Sequence, residues 1–378
     1  MKNMHGIIFS YEKRNDLREL ADIRTAASIP FGGRYRAVDF ALSNFVNAGI
    51  SDVGVVLHGR YQSLLDHLGS GKDWDLARRT GGLRVLTPYI ASYSTRGTSR
   101  YDTRLDALYT ISDALARTKD ELLVIADADA ICNLDLNDMI ACHKESGADL
   151  TFAVKRMSLT GNQSEQYNLY SSDAEGNLTE VAAHPKYIEG EWDVSMNLWI
   201  ANRTFLLAAI QDAAAHGYDS LTKGIVARYM NRASIKVYRY DGFFACNTCL
   251  EDYFATSMQL TADKEMRDGL FGAKNQPIIT KVRNSPSTQY VEGSSVKNSM
   301  IADGCVIEGT VENCILFRGV RIAKGSVVKN CILFQDTMVG EGSNLNCVIT
   351  DKNVAIRQGV TLSGHPSKPF YIDKNKMI

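Results

Sequence analysis

Short apolar runs separated by amphipathic stretches organise the first two thirds of the chain. GIIF from Gly6, VGVVL from Val53, LLVIA from Leu122 and LTFAV from Leu150 have the length and aliphatic content of buried strands. Tyr109 to Lys119 and Leu136 to Glu145 carry the spacing of amphipathic helices. This alternation predicts an α/β domain built on a mainly parallel sheet. Ligands of such sheets collect beyond the carboxyl ends of the strands, so the loops after Ile8, Val56 and Ala126 are predicted to rim one pocket.

The last third has another period. NCILF occupies Asn313 to Phe317 and recurs at Asn330 to Phe334, and NCVI follows from Asn346. Between the copies lie IAKGSV from Ile322 and VGEGSN from Val339, preceded by IADGCV and IEGTVE. Hexapeptide units of this kind build a β-helix, with an inward aliphatic residue at each corner and about three units to a turn. Cys314, Cys331 and Cys347 are predicted to stack on successive turns as small buried side chains. The chain is thus divided into an α/β domain at 1–265, a linker at 266–290 and a β-helix at 291–378.

Composition narrows the function. The 378 residues, 45% hydrophobic and 22% charged, suit a globular protein of two or three domains. Forty-two basic against 43 acidic residues leave no global field for nucleic acid or anionic lipid, so neither is expected as a partner. No run has the length of a signal peptide or membrane span, and a cytoplasmic location is expected. Eight scattered cysteines point to reduced thiols. Cys246 and Cys249 form one CxxC, with no second pair or nearby histidine to complete a tetrahedral metal site.

The loop after the first strand is the place for a phosphate cradle, which needs glycine for close approach of the backbone to the anion. Here it reads Tyr11, Glu12, Lys13, Arg14, Asn15 and Asp16, with no glycine and two carboxylates. Binding of a nucleotide triphosphate there would be opposed.

PFGGRYRAVDFALSNFVNAGI from Pro30 carries the most specific resemblance. With YQSLLDHLGSGKDWDL from Tyr61, DALYTISDAL from Asp106, VSMNLWIAN from Val194 and the terminal hexapeptides, the chain resembles bacterial ADP-glucose pyrophosphorylase (glucose-1-phosphate adenylyltransferase) over nearly its whole length. The resemblance implies a GT-A, Rossmann-like nucleotidyltransferase domain, a left-handed parallel β-helix and a tetramer. It also implies positions at which this chain departs from a working site. The family's GGxGTRL loop falls on Tyr11 to Leu17, with Glu12 among the degenerate positions, and the lysine of RAKP falls on Ala26. Asp129 retains the first magnesium aspartate, with Asp127 as a neighbour, and the second falls on Cys246, whose thiol is a poor magnesium ligand. The glutamate and lysine of FVEKP fall on Ala183 and His184. Ser195 and Met196 persist from the sugar-contacting segment.

These departures resemble the non-catalytic GlgD-type regulatory subunit. The implied role is activation of a catalytic subunit within a heterotetramer, with self-association also open. No cofactor is expected, or magnesium if the site works. Arg24 and Arg36 match positions that contact a sugar-phosphate effector, with Arg34 nearby and Lys368 a weaker candidate. Two alternatives remain: an active pyrophosphorylase holding magnesium on Asp127 and Asp129, and a β-helix acyltransferase. The repeat tract has no histidine before His365 to serve the second.

Overall fold

A computed structural model describes residues 4–10, 17–57, 59–87, 103–272 and 276–378. At its centre lies the strand Met4–Phe9, parallel to Asp52–Val56 on one side and to Leu122–Asp127 on the other, with Gly82–Leu86 beyond. The first three are largely aliphatic and buried because helices cover both faces of the sheet there, whereas Gly82–Leu86, at the edge, exposes Arg84 and Val85. One core gathers Val53, Val55, Val124 and Ile200 under the helix Ala37–Asn47. The other gathers Ile7, Leu123 and Trp199 under the helices Arg104–Arg117 and Arg203–Ala215. A Cβ on Gly6 would stand 2.6 Å from the Phe45 ring, so glycine there lets helix Ala37–Asn47 lie close on the sheet.

The sheet is mixed rather than mainly parallel. The long strand Gly190–Asn202 runs antiparallel to Leu122–Asp127, and also pairs with Leu150–Leu159 and Asn168–Ser172. An apolar run such as VSMNLWIAN reads the same in either direction, so its period carries no polarity. Pairing with Leu150–Leu159 shifts register between Ser195 and Trp199, which bends this strand beside the expected sugar pocket. The helix expected from Tyr109 begins earlier, at Arg104, where the Thr103 hydroxyl accepts the Asp106 N–H at 3.1 Å. No helix among the described residues is long and apolar enough to cross a membrane.

From Gln289 the chain winds into three parallel sheets of five strands each, the three sides of a β-helix. Val311, Val328 and Leu345 stack inward on one side. On another, Ile315, Ile332 and Ile349 turn outward and pack against Phe31, Phe40, Tyr253, Phe254 and Leu270 of the α/β domain. The hairpin Pro30–Phe31 with Tyr35–Arg36, formed by the PFGGRYR motif, belongs to this seam. Gly32 and Gly33 turn it with φ of 57° and 85°.

The cysteine stack differs from expectation. Cys331 donates its N–H to Cys314 Sγ at 3.4 Å, but the next rung pairs Ile332 with Ile349, which sets Val348 beneath Cys331. Cys347 instead takes the left-handed corner, φ 51°, that Asn330 takes one turn earlier, and packs into the domain seam. The asparagines step from 313 to 330 and then to 346, one residue short of a full turn. The side-chain ladder Asn298, Asn313, Asn330, Asn346 survives the slip, each Nδ2 donating to the next Oδ1.

Candidate functional site

Asp127 ends the central strand Leu122–Asp127, and Ala128–Asp129 turn into Ala130–Cys132. Both aspartates therefore stand at the carboxyl edge of the sheet, where a ligand is expected, and both are buried. Asp127 is ion-paired: Arg104, first residue of its helix, brings Nη2 to within 2.6 Å of Asp127 Oδ2. Cys246 ends a short strand that pairs antiparallel with Ala130–Cys132 and lies opposite Ala130. Asp252 is held by Thr248 Oγ1 at 2.7 Å, and its N–H is capped by Cys249 Sγ. Tyr167 lies among these groups; burial, then the charges of Cys246, Asp252, Cys249 and Asp129, raise the pKa of its phenol. Burial pushes the Cys249 thiol up to about 12, which disfavours its thiolate at neutral pH.

Magnesium does not fit this donor set. A hard divalent ion wants several free oxygen ligands. Here one carboxylate is taken by a guanidinium, one is buried at Asp129, and the expected second aspartate is a thiol.

The other expected positions are equally without charge. Ala26 is buried with Leu17, Leu20 and Ile29. Ala183 ends a strand paired to Asn168, and His184 follows with a left-handed φ of 49°, its Nδ1 3.2 Å from the Glu165 carbonyl. Ser195 is buried, its Oγ accepting the Asn197 N–H at 3.1 Å, and Met196 is fully enclosed in the core. Tyr11 to Asp16, including Glu12, lie outside the described residues.

Arg24 and Arg36 meet elsewhere, at the domain seam. Arg24 Nη2 lies 2.7 Å from both carboxylate oxygens of Asp351 on the β-helix, and both side chains are 2% exposed. Asp351 also accepts the Tyr371 hydroxyl at 2.8 Å and the Lys352 N–H at 2.6 Å. Arg36 donates to the Ser63 carbonyl and to Ser63 Oγ. Burial lowers its pKa to about 10, with Asp39 opposing and Arg24 and Arg283 reinforcing the shift. Burial and the fields of Arg36 and Arg24 push Lys352 down to about 7. Arg34 is exposed, its guanidinium 6.0 Å from the Tyr35 ring, and Lys368 sits in an exposed turn with His365.

The comparisons with known proteins agree with this architecture. The nucleotidyl transferase family pattern matches residues 15–241, and the GlmU-like C-terminal hexapeptide pattern matches 286–368. The glycogen biosynthesis protein GlgD of Bacillus subtilis (strain 168) is 35% identical over 98% of this chain and 96% of its own length. That of Geobacillus stearothermophilus is 36% identical over 86% and 82%. The chain belongs to the GlgD-type ADP-glucose pyrophosphorylase family. Glucose-1-phosphate adenylyltransferase of Thermosipho africanus is 28% identical over 87% of this chain and 78% of its own length.

Sequence reading missed Arg104, Tyr167, Asp351 and Lys352. Arg104 precedes DALYTISDAL by two residues, and no local pattern ties it to Asp127. His5, Asp52 and Asp120 also approach one another, with possible ligand atoms within 4.8 Å, at the opposite end of the parallel strands. Arg84 already grips both oxygens of Asp52, which disfavours a metal there.

Proposed function

We propose that the chain is the regulatory, catalytically deficient subunit of glucose-1-phosphate adenylyltransferase in bacterial glycogen biosynthesis, joined to a catalytic subunit in a heterotetramer. The observation that carries this reading is the thiol of Cys246 opposite Ala130, the residue after Asp129, where the resemblance implies a second carboxylate on the metal for nucleotidyl transfer. Ala26 and His184 point the same way, because each stands where the resemblance implies a lysine and neither supplies a permanent cation to developing phosphate charge. What the chain keeps is scaffold: the buried Asp39 that caps helix Ala37–Asn47, and the seam that fixes the β-helix to the α/β domain.

Regulation then acts through interfaces. A subunit that binds one conformation of its partner more tightly shifts the partner toward it, by the difference in affinity. Arg24, Arg36 and Lys352 supply the chemistry for a sugar-phosphate effector: two guanidiniums and an amine whose pKa is pushed down to about 7, gathered at a domain seam near Asp351, with Arg24 Nη1 buried and without a hydrogen-bond partner. Coexpression with the catalytic subunit of the same organism tests the proposal. A stable mixed complex whose kcat or effector response differs from that of the catalytic subunit alone supports it. Failure to copurify, with unchanged kinetics, overturns it.

A further inference from the structure

Asp127 and Asp129 are two carboxylates one residue apart, 3% and 8% exposed. Burial of such a pair is costly unless positive charge accompanies it. In a metal-dependent transferase the ion supplies that charge; in this chain a side chain does. We infer that Arg104 is a built-in replacement for the divalent cation, its guanidinium neutralising Asp127 and closing the vestigial site to metal. This inference deepens the proposed function and rests on it.

The placement of Arg104 follows from its element. Thr103 caps the helix, fixing where its first residue stands, and the side chain reaches the carboxyl end of the central strand with only 15% exposure. Burial lifts the Tyr170 phenol to about 12, and the nearby Arg104 charge works against that shift. The guanidinium therefore acts on both Asp127 and Tyr170. The guanidinium sits 2.6 Å from a carboxylate oxygen that a metal would need, and its fixed charge repels a divalent ion approaching Asp129. Cys246, on the facing strand, offers no hard oxygen in compensation.

Manganese titration of the full chain, read by loss of the free-ion electron paramagnetic resonance signal, tests the inference. The unaltered chain is expected to show no saturable site that depends on Asp129. Arg104→Met is expected to gain one ion per chain, with affinity raised at least about tenfold because two carboxylates become available. Adding Asp129→Asn should abolish the gain, and Arg104→Lys, which keeps the charge, should not open the site. A manganese site in the unaltered chain that Asp129→Asn removes overturns the inference, as does a folded Arg104→Met chain that binds no more than its parent. If Arg104→Met does not fold, the unaltered chain and its Asp129→Asn variant still decide. Turnover by the unaltered chain would defeat the regulatory reading, whereas a silent chain that binds manganese at Asp129 defeats only the role of Arg104.

Discussion

Asp351 gathers Arg24, Tyr371 and the Lys352 N–H on one buried carboxylate, and thereby joins two domains through a single side chain. Removing one partner of a buried ion pair leaves the other charge uncompensated, a loss of about 3–5 kcal/mol. Asp351→Ala should therefore lower the unfolding free energy read from urea denaturation by that amount, and adding Arg24→Met should recover part of it. A shift within about 0.5 kcal/mol would mean that the pair contributes nothing net. Lys352 makes a second prediction. Its ammonium is disfavoured by burial and by Arg36, Arg24 and Arg283, with Asp351 opposing, and titrates near 7 rather than 10.5. Between those values the unfolded chain binds a proton that the folded chain does not, so stability should rise with pH across that window. Below it the penalty is fully present. Lys352→Met should flatten the rise; identical pH profiles would contradict the assignment. At this scale the sequence exposed Arg24 and Arg36 but neither Lys352 nor Asp351, because Asp351 lies 327 positions from Arg24.

The β-helix shows what periodicity can and cannot tell. The hexapeptides predict its coils and its inward aliphatics, since both follow from a local repeat. The third NC falls one position early in a coil whose register does not change, Val328 opposite Leu345 and Ile332 opposite Ile349, so Cys347 lies off the stack, and motif matching, which aligns letters rather than rungs, does not register it. Burial raises the Cys331 thiol well above its ordinary range, with Cys314 adding to the shift, and leaves both without access to reagent. Cys314 and Cys331 should stay unmodified by a water-soluble disulfide reagent in the native protein and react on unfolding. Rapid native labelling of either would show that the coil is not packed in this register. In the α/β domain the strands were legible from their aliphatic runs, while the antiparallel entry of Gly190–Asn202 was not, because direction is set by connections and pairing.

Across the whole molecule, the substitutions at Ala26, Ala183, His184 and Cys246 read from sequence and the Arg104–Asp127 pair seen only in the structure all alter the charge that the family resemblance implies for a working site. Their sum, an enzyme scaffold kept with its catalytic charges removed, is the central claim. Pyrophosphate release from ATP and glucose 1-phosphate with magnesium tests it directly, using the chain alone, the catalytic subunit alone and the coexpressed pair. The account predicts silence from the chain alone and a rate or effector response in the pair that exceeds the catalytic subunit's own. Sustained turnover by the chain alone would contradict it.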